Sequence, residues 1–148
     1  EFWAAEGRLG RHAAVLVRTW PYVNETGRAI PEIRKRWDGE LMVVCDDVNL
    51  PLGALRIRKE GASGGHNGLK SVEAALGTAA YPRLRIGVGG GRPDPGYVLG
   101  RFTKEERKTV EETVDRACEA VRCWMDDGIE KCMTRYNRKA PGGEPEKA

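Results

Sequence analysis

Apolar residues along this chain recur with two periods, and the alternation between them predicts an α/β fold. Residues 2–5 and 13–17 flank the turn Gly7-Arg8-Leu9-Gly10-Arg11 and read as two strands. The unbroken run Ala13-Ala14-Val15-Leu16-Val17 suits a buried one. Leu41-Met42-Val43-Val44-Cys45 is another buried-type strand and stops at Asp46-Asp47. After the turn Leu50-Pro51-Leu52-Gly53, Leu55-Arg56-Ile57-Arg58 alternates apolar and basic, as a strand with one solvent face does. Residues 84–89 form the last predicted strand. Helical spacing appears elsewhere. Thr26 is placed to cap a short helix with Ile30, Ile33 and Trp37 on one face, and Pro31 is tolerable near its start. Leu69, Val72, Ala75 and Leu76 make the stripe of a second helix that Gly77 stops. Thr103 and Glu106 form a capping box before a long helix striped by Val110, Val114, Ala117, Cys118, Val121 and Met125. Gly128 breaks or bends it ahead of residues 129–136. Segments 61–68 and 89–96 are glycine-rich loops, and the polar tail 141–148 is expected to be disordered.

Strands interleaved with helices over 148 residues predict one α/β domain, residues 1–140, with a mixed twisted sheet flanked by helices. A chain this long buries roughly 70% of its unfolded surface, enough for one sizeable core. Its 40% hydrophobic and 32% charged residues exclude a disordered chain. No apolar run approaches the roughly 20 residues of a membrane span. The opening Glu1-Phe2-Trp3-Ala4-Ala5-Glu6 has no signal-peptide pattern and no Met, and it starts inside an apolar segment. A cloning boundary or an incomplete coding sequence is the expectation. A net charge of +3 is too mild to indicate a nucleic-acid partner by itself. Its distribution is more informative, since Arg56, Arg58 and Lys59, Arg83 and Arg85, and Arg34, Lys35 and Arg36 form three clusters. On charge alone these also read as solvated faces. The cysteines at 45, 118, 123 and 132 form no C-x-x-C pair, which argues against a metal site or a disulfide framework. Cys118, Cys123 and Cys132 read as small apolar helix residues in a reducing compartment.

Three polar positions follow a strand or sit in a tight loop, where sites of α/β sheets gather. They are Tyr22-Val23-Asn24, Asp46 and His66-Asn67. Directly after an apolar strand, Asp46 is expected to be partly desolvated, as suits a carboxylate that orients a histidine or a cation. It reads equally well as a turn or cap residue. Asn24 and Asn67 offer donors and acceptors without charge, fit for a water, an ester carbonyl or a ribose hydroxyl, or simply for turns. The glycine loop before a helix could cradle phosphate, although it lacks the lysine and spacing of a nucleotide-binding loop.

Gly64-Gly65-His66-Asn67-Gly68-Leu69-Lys70-Ser71 closely resembles the glycine-loop motif of bacterial peptidyl-tRNA hydrolases. So does Asp46-Asp47-Val48-Asn49-Leu50-Pro51-Leu52-Gly53, and the segments 83–89 and 97–102 match in the same order. The resemblance implies an enzyme that uses water to cleave the ester between a stranded peptide and the 3′ end of tRNA, with no metal and no cofactor. A histidine would act as general base and Asp46 would hold it in its basic form. Asn24 and Asn67 match asparagines that bind the substrate end and help position water. Tyr22 matches an aromatic tRNA contact, Arg56 and Arg58 a basic strand that faces tRNA phosphate, and Arg85 a weaker candidate for that role. The expected protein is a cytoplasmic monomer with peptidyl-tRNA as its partner and no membrane association.

The chain departs from that pattern in one important way. The family's opening strand, Gly-Asn-Pro-Gly-like turn and histidine-bearing segment do not occur, so an N-terminal segment with the base is expected to be lacking. His12, beside a turn, and His66, in the glycine loop, are poor replacements. Val23, Pro21 and Asn49 stand where methionine, threonine and an acidic residue are common, and the 89–96 loop looks short. The expectation is therefore a chain with little hydrolase activity alone. The competing reading is a non-catalytic RNA-binding protein on the same scaffold, like plant organelle relatives that assist splicing.

Overall fold

Two short runs at the start of the chain pair as a hairpin, β1 (Phe2–Leu9) and β2 (His12–Thr19). The computed structural model describes residues 2–20, 22–89 and 101–137. These belong to two units, Glu1–Leu41 with Glu60–Tyr81, and Met42–Lys59 with Pro82–Ala148. The predicted 89–96 loop, most of the 97–102 motif and the 141–148 tail fall outside the described residues.

In the first unit the hairpin strands are longer than predicted. Leu9 lies opposite His12, which leaves Gly10 and Arg11 as the whole loop. Gly10 has φ 61°, the positive value that a two-residue hairpin turn demands. Backbone pairing continues through Gly7 and Arg8 because the ladder needs no apolar side chains on an exposed ribbon. Next comes a 3₁₀ segment, Val23–Ala29, which runs directly into α1 (Ile30–Arg36) with Pro31 in its first turn. The predicted cap at Thr26 is a correction: Thr26 lies inside the 3₁₀ segment and its hydroxyl donates back to the Val23 carbonyl at 2.8 Å. Trp37 ends α1, and its indole N–H donates to Glu6 at 2.6 Å while its ring meets Phe2 edge-on. The second helix, α2 (Asn67–Leu76), stops at Gly77 with φ 72°, as predicted.

The 3₁₀ segment and α2 approach closely. A Cβ at Gly27 would lie 2.0 Å from the Ser71 carbonyl oxygen, and the Gly27 N–H donates to Ser71 Oγ at 2.8 Å. Only glycine permits this contact.

In the second unit, β3 (Val43–Asp47), β4 (Leu55–Arg58) and β5 (Arg83–Gly87) form a mixed sheet in the order β3-β5-β4. The β3/β5 pair is parallel and the β4/β5 pair antiparallel, which bears out the predicted α/β class and mixed sheet. Helices α3 (Lys104–Asp127) and α4 (Ile129–Tyr136) cover one face. Leu55, Ile57 and Leu84 from the sheet pack there with Ala117, Ala120, Cys123 and Cys132. The Thr103–Glu106 capping box forms as predicted, and Gly128, at φ 90°, separates the two helices. The stripe of α3 is rotated from the prediction. Val114 and Cys118 are exposed, while Thr113, Ala117, Ala120 and Cys123 are buried. Small residues at 117 and 120 let the helix lie close, and Thr113 is tolerated because its hydroxyl donates to the Thr109 carbonyl at 2.6 Å.

Candidate functional site

Helix α2 begins on the glycine loop, where Gly64 and Gly65 hold φ of 62° and 84°. His66 then adopts an extended backbone as N-cap, and its Nδ1 accepts the Leu69 N–H at 3.2 Å. This satisfies one of the orphan donors at the helix start. Asn67, the first helical residue, is exposed. On the adjoining 3₁₀ segment, Tyr22 is the N-cap and is 68% exposed, and Asn24, the second residue of the segment, is exposed. A Cβ at Gly68 would lie 2.9 Å from both the His66 ring and the Val23 side chain. The residue before Asn24 and the residue before Asn67 therefore meet over Gly68. The sequence separated these asparagines by three elements, and the first unit brings the segments that carry them together. Thr19, Trp20, Glu25, Arg28 and Ala29 line a hollow where β2 gives way to the 3₁₀ segment.

Asp46, Arg56, Arg58 and Arg85 belong to the second unit. Asp46 was expected just past its strand. It is instead the penultimate residue of β3, opposite Ile86. Strand alternation sends its side chain to the helix-covered face, with Leu84, Ile57 and Leu55. The other face carries Cys45, Asp47, Arg85 and Arg56, through the pairings Cys45 with Arg85 and Arg85 with Arg56. Asp46 and the arginines thus leave opposite sides of one sheet, which no local pattern revealed.

Sequence reasoning also passed over Asp47. It is 6% exposed and pairs with Arg85, 8% exposed, at 3.4 Å. Its other carboxylate oxygen accepts the Asn49 N–H at 2.8 Å. Arg85 is therefore a buried structural cation, whereas Arg56 and Arg58 are half-buried on β4. The turn after β3 is drawn onto the end of β5 by bonds from Val88 N–H to the Asp47 carbonyl, 3.1 Å, and from Gly89 N–H to the Leu50 carbonyl, 2.8 Å. A Cβ at Gly87 would stand 2.1 Å from the Pro51 oxygen. These contacts fix the chain immediately after Asp46.

Two of the cysteines are held as neutral thiols. Burial pushes the Cys45 thiol up to about 12, against an opposing effect of Arg85, and pushes Cys132 up to about 11. Thiols held this high stay protonated at neutral pH. Among the described residues, no group of three or more His, Cys, Asp or Glu could hold a metal ion, and no helix is long and apolar enough to cross a membrane.

The model of the family described as peptidyl-tRNA hydrolase matches residues 1–143. The chain belongs to this family. It is 42% identical over 142 residues to a peptidyl-tRNA hydrolase of Desulfitobacterium hafniense, covering 90% of this chain and 76% of that protein. It is 39% identical over 148 residues to one from Gloeobacter violaceus, covering 96% of this chain and 75% of the relative. The crystal structure of the Acinetobacter baumannii peptidyl-tRNA hydrolase has the same fold, with a TM-score of 0.83 at 23% identity over 94% of this chain and 74% of that one. A crystal structure of a peptidyl-tRNA hydrolase complexed with N-propanol superposes with a TM-score of 0.84, also at 23% identity, covering 95% of this chain and 74% of that one. As a member of this family, the chain is a hydrolase by descent.

Proposed function

We propose that this chain acts on peptidyl-tRNA, with Asn24 and Asn67 binding the 3′ end of the substrate and positioning the attacking water. The observation that carries this reading is the meeting of Val23 and His66 over Gly68, which makes neighbours of the two elements bearing those asparagines. Two exposed carboxamides on rigid backbone suit an ester carbonyl and a water, since each offers a donor and an acceptor. Tyr22, exposed beside Asn24, supplies a face on which an unpaired 3′ base can stack. Asp46 serves as the carboxylate that orients and charges the general base. Arg56 and Arg58 take tRNA phosphate on the face of their sheet opposite to Asp46, and Arg85 stabilises β3 through Asp47. The protein works as a cytoplasmic monomer without metal or cofactor.

Neither histidine of these 148 residues serves as the base. Nδ1 of His66 is occupied in capping α2, and His12 sits at the hairpin turn with Nε2 accepting from Arg11. The 148 residues alone therefore hydrolyse substrate slowly, since a general base contributes about 10²–10⁴-fold. Single-turnover hydrolysis of N-acetyl-aminoacyl-tRNA by this chain is the test. Slow cleavage that rises with added imidazole and is lost in Asp46→Ala supports the reading. Cleavage as fast as by the Desulfitobacterium hafniense relative rejects the missing base. A second reading, RNA binding without hydrolysis, is favoured by the same occupied histidines, and tRNA binding with no turnover at any imidazole concentration would select it.

A further inference from the structure

Strand β4 is an edge of its sheet, and at Ile57 its outer side is met by the side chain of Asn137. Opposed residues of an antiparallel pair alternate between those that exchange backbone bonds and those whose N–H and C=O point away. Ile57, opposite Leu84, is of the second kind. Its N–H donates to Asn137 Oδ1 at 2.6 Å, and its carbonyl accepts from Asn137 Nδ2 at 2.9 Å. One carboxamide thus does for Ile57 what a neighbouring strand would do. Asn137 is the residue that ends α4, so the helix C-terminus is tied to the strand edge.

The same carbonyl accepts a second bond that matters more. Arg58 Nη1 donates to it at 3.0 Å. A carbonyl oxygen has two lone pairs, and Asn137 and Arg58 fill both. A guanidinium is planar with five donors in fixed directions, so anchoring one of them sets where the rest point. Asn137 and Arg58 therefore share one acceptor, and the position of each constrains the other. The ion pair of Lys59 with Glu130, at 3.0 Å, joins the same two elements but is exposed and contributes little.

We infer that Asn137 is a positioning residue for RNA binding by β4, holding the strand edge and aiming Arg58 through the shared Ile57 carbonyl. This rests on the reading of β4 as the strand that faces tRNA phosphate. Its chemistry is nevertheless separate, because Asn137 itself need touch no RNA.

Binding of deacylated tRNA to the full 148-residue chain, titrated over a range of salt concentrations, tests the inference. Arg58→Ala should weaken binding and lower the log–log salt slope by about one, as expected for one lost phosphate contact. Asn137→Ala should lower the slope by the same amount, and in the Arg58→Ala background it should have no further effect on affinity. Should Asn137→Ala fold poorly, Asn137→Asp keeps the acceptor for the Ile57 N–H, loses the donor and sets a carboxylate beside Arg58. It should weaken tRNA binding in a folded protein. A purely structural role would lower the melting temperature of Asn137→Ala and leave affinity and slope unchanged, which overturns the inference. Weakening that persists undiminished without Arg58 overturns it too. If Arg58→Ala itself leaves binding intact, the reading of β4 fails first and the inference falls with it.

Discussion

The two units hold their polar residues by opposite means. In the first, the candidate asparagines are exposed, and their placement depends on side chains that are absent. Gly27 lets the 3₁₀ segment rest on the Ser71 carbonyl, and Gly68 leaves room for both Val23 and His66. In the second, the ordering element is a charge pair taken out of water, Asp47 with Arg85, surrounded by backbone bonds to the end of β5. Steric clearance has no pH or salt dependence, whereas a buried pair depends on both partners being present. The first unit should therefore fail on added volume and the second on lost charge.

Removing one charge is the largest test of that contrast. Asp47→Ala leaves the Arg85 guanidinium buried without its carboxylate and should cost about 3–5 kcal/mol. Replacing both together, Asp47→Ala with Arg85→Met, should recover most of the loss. Urea denaturation of both variants beside the unaltered protein checks this. A loss under about 1 kcal/mol for Asp47→Ala would mean that the pair does not organise the sheet end. Gly27→Ala comes next. The added carbon meets backbone, which cannot swing away, so the cost belongs at the upper end of overpacking, about 3 kcal/mol. Thermal unfolding of Gly27→Ala, with Gly7→Ala as a control whose Cβ meets nothing within 4 Å, measures it.

His66→Ala tests a smaller contribution in the first unit. It should lose about 1 kcal/mol as a helix cap, and His66→Asn should restore it, because asparagine is a strong N-cap residue. Hydrogen exchange at the Leu69 amide reports the cap directly. If alanine and asparagine behave alike, His66 is retained for something other than capping.

An effect confined to alkaline pH belongs to the thiols of the second unit. Burial raises Cys45 to about 12 and Cys132 to about 11 from the ordinary 9.0 of a thiol. The folded state thus keeps protons that the unfolded chain releases near pH 9. Stability from this source is complete below pH 9 and falls as pH rises toward 11 and 12. Melting temperatures measured from pH 7 to 10.5 should be flat at first and then decline, more gently in Cys45→Ala with Cys132→Ala. An identical decline in that variant would assign the loss to other groups.

Much of the architecture was legible because its signals are local. A capping box spans four residues, Gly77 and Gly128 act at their own positions, and the alternation in Leu55-Arg56-Ile57-Arg58 reports its own two faces. Thr26 misled because a capping residue and a residue inside a 3₁₀ turn look alike when only neighbours are read. The stripe of α3 misled because hydrophobicity favoured Val114 and Cys118, while packing distance favoured Ala117 and Ala120. Asp46 stood out as the end of an apolar run, yet Asp47 is the carboxylate the fold buries. The hydrogen bond that reveals why joins residues 38 apart, and the one from Ile57 to Asn137 joins residues 80 apart. No window of a dozen residues contains either.

By itself, the sequence determined the α/β class, the helix boundaries set by caps and glycines, and membership in the hydrolase family through motifs in one order. Those properties depend on residue types and short spacings, and both are written in the chain. The tertiary structure alone decided the strand register, and with it the faces. Side chains alternate with a period of two, so one residue of register decides whether a carboxylate meets an arginine or leaves the other side of the sheet. It also decided that Asn24 and Asn67 ride on touching elements, because that contact exists only where two distant glycines leave space for it.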